Sequence, residues 1–329
     1  MAEPVSEFAM QDASLLIIHQ GALGDFILTF PALIRLQKYY KQIDVLCQNQ
    51  LGKLAKSLGV AQNWYPSEAA YFASLFSDQI DPKIKTILKQ YGSIILFTLS
   101  DDLEQSINSI TAKLSCRLPP KPPAHHRIHV AQFVLENIYN CGLITKADVN
   151  LDEIPLPVIE APLRNPHKIL LHPGAGSIRK RWPVSNFIQV EAALKADGFK
   201  PEFVLGPAEE SLADDLQCPQ RLVHVLDDLP DLVALLNSAG GYIGNDSGAS
   251  HLAAYLGLPT TVIFGPADPA RWAPVGRAVQ IVRPHLPCRP CFETEPANCE
   301  DPRCLAGTSP QKVLEAFYRN SGIRELRDS

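Results

Sequence analysis

Leu15-Leu16-Ile17-Ile18-His19-Gln20-Gly21-Ala22-Leu23-Gly24-Asp25 opens with a short apolar run and ends in a glycine-bearing turn. Behind it, Ile27, Phe30, Leu33, Ile34 and Leu36 recur at helical spacing. That is strand, tight turn and helix, and the pattern repeats outward. Ile43 to Cys47 and Ile94 to Thr98 read as further strands, and Leu51 to Leu58, Lys83 to Gln90 and Ile128 to Cys141 as helices. Strands alternating with helices predict a parallel sheet. Leu118-Pro119-Pro120-Lys121-Pro122-Pro123 must be an extended loop, since its prolines remove backbone donors and fix φ.

Asp148 to His167 carries prolines at 155, 157, 162 and 166 without a sustained helical period, which marks an interdomain linker with the boundary near residue 160. After it the alternation restarts. Strands are expected at Lys168 to His172, Glu202 to Leu205, Leu222 to Val225, Tyr242 to Gly244, Thr260 to Phe264 and Val279 to Val282. Helices fall between them at Val184 to Ala196, Glu209 to Leu216, Asp231 to Ala239 and Ser247 to Leu256. The expected organisation is an extension over residues 1–14, a first doubly wound α/β domain over 15–160 and a second over 161–329. Ligands of open α/β sheets bind outside the carboxyl ends of the strands, so the active site is expected in a cleft between the two domains.

The 329 residues suffice for two cores, and 46% hydrophobic against 20% charged residues excludes general disorder. A net charge of −5 argues against non-specific nucleic-acid binding. No apolar run approaches the length of a transmembrane helix. Met1 to Asp12 lacks a basic and apolar leader, so the chain is expected in the cytoplasm. Of eight cysteines, Cys47, Cys116, Cys141 and Cys218 stand singly and read as reduced thiols. Cys288-x2-Cys291-x7-Cys299-x4-Cys304 fits a structural zinc, free thiols or a local disulfide, with no catalytic metal expected.

Three segments carry chemistry. Gly24 would turn the chain off its strand, leaving Asp25 in the first helical turn, where it serves either as a general base or only as the N-cap. His172-Pro173-Gly174-Ala175-Gly176-Ser177 leads into Lys180-Arg181-Trp182-Pro183; the glycines expose amides, and Lys180 or Arg181 would neutralise a phosphate or simply face solvent. Gly244-Asn245-Asp246-Ser247-Gly248-Ala249-Ser250-His251 precedes an apolar helix whose N-terminal amides make an anion site. There Asp246 accepts from sugar hydroxyls or caps the helix, and His251 is either part of the site or a satisfied buried histidine. Neither a G-x-G-x-x-G nor a P-loop spacing occurs.

Taken in order, these motifs, with Pro31-Ala32-Leu33, His251-Leu252-Ala253-Ala254, Phe264-Gly265-Pro266, Asp268-Pro269, Trp272 and Cys288-Arg289-Pro290-Cys291, resemble glycosyltransferase family nine, the ADP-heptose:lipopolysaccharide heptosyltransferases. The resemblance implies a GT-B architecture of two Rossmann-like domains facing each other across a cleft. The first would bind a lipid-anchored glycan acceptor and the second a nucleotide-sugar donor. It implies Asp25 as the base that deprotonates the acceptor hydroxyl, with Gly21, Gly24 and His19 on the acceptor-side loop, His19 standing where the family usually has Arg. It further implies Lys180 and the amides of Ser247 and Gly248 around the donor diphosphate, Asp246 at the donor sugar hydroxyls, Glu209 or Glu210 at the ribose, and Ser177 and His251 among the donor-binding residues. Transfer would be direct and inverting, with no cofactor or metal. An anionic acceptor would call for a basic patch drawn from Lys38, Lys41, Lys53, Lys56, Lys113, Arg117, Lys121 and Arg127, and peripheral contact with the inner membrane would follow. An epimerase of the same fold and a catalytically silent carbohydrate-binding homologue are the competing readings.

Overall fold

A computed structural model describes residues 14–154, 156, 164–209, 211–284, 288–294, 299 and 303–321. The chain divides into two compact units, Met1–Pro155 and Leu156–Ser329. Of the expected extension over 1–14, residues 1–13 lie outside the described residues, as does the expected boundary near 160, whereas Ser14 is the first residue of a strand.

The first unit is built on a five-stranded, all-parallel sheet: β1 (Ser14–His19), β2 (Gln42–Cys47), β3 (Asn63–Pro66), β4 (Ser93–Phe97) and β5 (Leu114–Leu118), in the order β3-β2-β1-β4-β5. Leu15 to Ile18 are wholly buried, as a central parallel strand covered on both faces requires. Leu16, Ile18, Leu46, Ile94 and Leu96 meet Ile84, Ile87, Leu88, Leu103 and Ile107 from the helices Pro82–Lys89 and Asp101–Ile110. The helical pattern after β1 is broken into Leu23–Ile27 and Phe30–Leu36. Pro31 has no N–H for a continuous helix, and Thr29 Oγ1 instead donates to the Phe26 carbonyl at 2.6 Å.

The second unit carries a six-stranded parallel sheet: β6 (Asn165–His172), β7 (Lys200–Leu205), β8 (Val223–Val225), β9 (Ala239–Asn245), β10 (Thr260–Ile263) and β11 (Val279–Val282). Its order, β11-β10-β9-β6-β7-β8, is the Rossmann order 3-2-1-4-5-6 counted from β6. Ile169, Leu171, Phe203, Leu205 and Ile243 pack with Phe187, Val190 and Leu194 of the helix Val184–Ala196 and with Val313 and Phe317 of the final helix Pro310–Ser321. In each unit the strand order reverses beside the first strand, at β1/β4 and at β6/β9, where His19 pairs with Phe97 and His172 with Gly244. These switch points are where open α/β sheets leave a crevice.

One expectation is corrected in the first unit. Cys116 in β5 and Cys141, at the C-cap of the helix Val130–Asn140, are joined in a disulfide rather than held as separate thiols. Sequence distance concealed the pair: although 25 positions apart, the two residues have their Cα atoms 5.8 Å from each other.

Candidate functional site

At the first switch point, β1 delivers His19 into a pocket walled by Phe26 and Phe97, each with its ring centre 5.2 Å away. Burial pushes its imidazole down to about 4, and Nδ1 accepts from the Gly21 amide at 3.2 Å, so the ring is neutral at pH 7. His19 therefore supplies no positive charge to this loop. A Cβ on Gly21 would approach His19 Cε1 to 2.6 Å and Asp25 Cβ to 3.0 Å, which is why glycine occupies the turn. Gly24, expected to make that turn, is instead the second residue of the helix Leu23–Ile27. Asp25 sits half-buried in its first turn while Ala22 occupies the N-cap, so Asp25 is not the capping residue. Two members of the expected basic set are already ion-paired: Lys38 with Asp148 at 2.6 Å and Arg117 with Asp101 at 2.7 Å.

At the second switch point the loop after β6 is fixed by Asn245, fully buried at the end of β9. Its side-chain amide donates to the carbonyls of Pro173 (2.8 Å) and Gly174 (3.3 Å), and its Oδ1 accepts from Trp182 N at 3.1 Å. Trp182 is anchored by Nε1 to the Thr308 carbonyl and packs edge-on against Phe187. Between these anchors Ser177 caps a single 3-10 turn, Ile178–Lys180, by accepting from Arg179 N. Lys180 leaves that turn with its ammonium 2.9 Å from Asp246 Oδ2. The Asp246 side chain is 4% exposed and that of Lys180 19%. The structure thus joins two residues that the sequence assigned to separate parts of a donor. Ser247, not Asp246, holds the N-cap of the helix Gly248–Tyr255, and its side chain makes no cap bond. Ser247 Oγ lies 3.4 Å from both His172 Nδ1 and Ser250 Oγ. His251 is buried one turn in.

Burial first, and then the neighbouring Arg181 guanidinium, hold the His172 imidazole down at about 4. Arg181 donates from Nε to the Ala175 carbonyl (3.1 Å) and stands 3.9 Å from Glu209 Oε1. Glu209 Oε2 accepts from Gly206 N at 3.0 Å, and the Glu209 side chain lies so close to Gly174 that a Cβ there would come within 2.4 Å of it. Glu210 lies outside the described residues.

Sequence reasoning assigned no role to Asn245, Arg271 or Glu293. Arg271, 2% exposed, binds Glu293 at 2.7 Å, joined by Trp272 Nε1 at 3.0 Å. A buried arginine needs a carboxylate partner, but its position 22 residues away was not legible from spacing. Cys288, Cys291, Cys299 and Cys304 are free thiols, and among the described residues no group of three or more His, Cys, Asp or Glu is placed to hold a metal ion. The zinc expectation thus finds no support in their placement. Among the described residues, too, no helix is long and apolar enough to cross a membrane.

Residues 146–300, which span the loop after β6, the Lys180 turn and the Asp246 segment, match glycosyltransferase family 9 (heptosyltransferase). This stretch, just under half of the chain, is where the similarity to that family lies. Lipopolysaccharide heptosyltransferase 3 of Escherichia coli K12 is 30% identical over 119 residues, which is 33% of each protein. Matches to such curated relatives span 33% to 51% of their length. Among solved structures, a family 9 glycosyltransferase from Veillonella parvula superposes with a TM-score of 0.73 at 16% identity, covering 95% of this chain and 98% of that one. The E. coli ADP-heptose lps heptosyltransferase II gives 0.72 at 18% identity, covering 95% and 99%. At these identities the structural matches establish the shared fold alone, two Rossmann-like α/β units.

Proposed function

We propose that this chain is a family 9 glycosyltransferase of inverting mechanism that moves heptose from ADP-heptose to a hydroxyl of a lipopolysaccharide-core glycan at the cytoplasmic face of the membrane. The observation that carries the reading is the Lys180–Asp246 pair at the β6/β9 switch point, beside the N-terminus of the helix Gly248–Tyr255. The donor named for a fold relative, ADP-heptose, presents both chemistries that such a pair can bind, a diphosphate and sugar hydroxyls.

In this scheme Lys180 turns from Asp246 to the donor diphosphate, where the amides of Ser247, Gly248 and Ala249 add dipolar stabilisation. Asp246, released from its ion pair, accepts from heptose hydroxyls, with His251 behind it. Ser177 fixes the turn carrying Lys180, and Glu209 receives ribose hydroxyls. Asp25 accepts the proton of the acceptor hydroxyl as its oxygen attacks the anomeric carbon. The new C–O bond forms on the face opposite the departing diphosphate, the bond from the anomeric carbon to the phosphate oxygen breaks, and ADP leaves with that electron pair. Gly21, Gly24 and neutral His19 shape the acceptor side by packing rather than by charge.

A thermal-shift panel of ADP, UDP, GDP and dTDP on wild type and Lys180→Ala tests the donor assignment, since a ligand that binds the native state raises its apparent stability. ADP selectivity that disappears in Lys180→Ala is the expected result. Selectivity for UDP or GDP would discard ADP-heptose as the donor.

A further inference from the structure

Lysine is a flexible, strongly hydrated cation, and one carboxylate contact does not fix where its ammonium sits once that carboxylate turns to another partner. Lys180 has a second neighbour. Its Nζ lies 4.3 Å from the ring centre of Phe292, and Arg179 Cζ lies 5.4 Å from the same ring. The ring is held from three sides. The amides of Cys291 and Phe292 both donate to the Pro266 carbonyl, at 2.9 and 3.0 Å. Glu293 is gripped by Arg271 and Trp272. Phe292 packs against the small core cluster of Val262, Phe264 and Ala267. Arg179 Nη2, 3.7 Å from Cys291 Sγ, ties the Lys180 turn back to the same segment.

We infer that Phe292 is a positioning residue for Lys180, and that the Cys291-Phe292-Glu293 segment sets the ammonium for a nucleoside diphosphate. This rests on the donor-site reading above. An aromatic face attracts a cation without neutralising it, so the ring holds Lys180 in place and leaves its full charge for phosphate. A carboxylate in the position of Phe292 would compete with the diphosphate instead.

The test is a double-mutant cycle read by isothermal titration, with ADP as the probe and adenosine as its phosphate-free counterpart. Phe292→Leu is expected to weaken ADP by about three- to tenfold, the range of a partly desolvated cation–π contact, and to leave adenosine unchanged. Phe292→Tyr, which keeps a ring face, restores ADP affinity. In a Lys180→Met background Phe292→Leu has no further effect. Phe292→Met, apolar but without a ring, repeats the measurement if the leucine variant fails to fold. Unchanged ADP affinity in Phe292→Leu, equal weakening of ADP and adenosine, or the same loss in the Lys180→Met background would each overturn the inference while the donor-site reading stands. If wild type does not bind ADP, or Lys180→Met binds it as wild type does, the donor-site reading falls and takes this inference with it.

Discussion

Asp25 and Gly174 are the residues at which a single change separates chemistry from architecture. Asp25→Asn keeps the shape of the first turn of Leu23–Ile27 and removes the proton acceptor. Transfer should then fall by about 10²- to 10⁴-fold with nucleotide affinity unchanged, as initial rates and calorimetry on the same preparation would reveal. Gly174→Ala acts by volume, because its methyl would lie 2.4 Å from Glu209 Cγ and the carboxyl must move. Urea titration should show a loss of about 1–3 kcal/mol, partly recovered in Gly174→Ala/Glu209→Ala, where the obstructing side chain is gone. At this scale the sequence was legible in placement: Lys180, Asp246 and Asp25 stand, as their local motifs predict, in the segments that follow strands. It was opaque wherever a partner is distant. Nothing near Asn245 announces that it fastens Pro173, Gly174 and Trp182 together, and nothing near Arg271 points to Glu293.

The helix Gly248–Tyr255 presents its N-terminal amides to the candidate donor site and ends through Gly257, whose φ of +71° closes it in the left-handed region. Gly257→Ala has open space for its methyl, so its cost is conformational, about 1 kcal/mol by chemical denaturation. Gly176→Ala, also in open space but without a left-handed backbone, should be neutral in the same measurement. The helix Val184–Ala196 and the strand β11 have the bounds that their patterns predict. β3, four residues reading Asn63-Trp64-Tyr65-Pro66, and β5, with polar Ser115 and Arg117, were missed because a bounding proline and asparagine in one and interspersed polar residues in the other leave no apolar run like that of β1. The break at Leu28 and Thr29 was missed because the apolar spacing runs through it, although Pro31 carried the signal.

Across the whole molecule, each unit places its motif residues at the point where strand order reverses, and each buries a histidine there. His19 and His172 both titrate near 4 when folded, below the ordinary 6.5, so the unfolded chain takes up protons that the native one refuses. Their stabilising effect is complete above pH 6.5 and is lost as pH falls toward 4, at roughly 3 kcal/mol for each ring by pH 4. Urea titrations across that window should show the decline, and ring resonances followed by NMR should stay neutral until about pH 4. A flat profile, or rings that protonate near 6.5, would mean that the two imidazoles are solvated. The measurement that bears most directly on the central claim is incubation of the chain with ADP-heptose and a heptose-deficient lipopolysaccharide core, with the product linkage read by NMR. The account predicts ADP released only when acceptor is present and a product whose anomeric configuration is inverted relative to the donor. A retained configuration, or a donor sugar isomerised without acceptor, would contradict it.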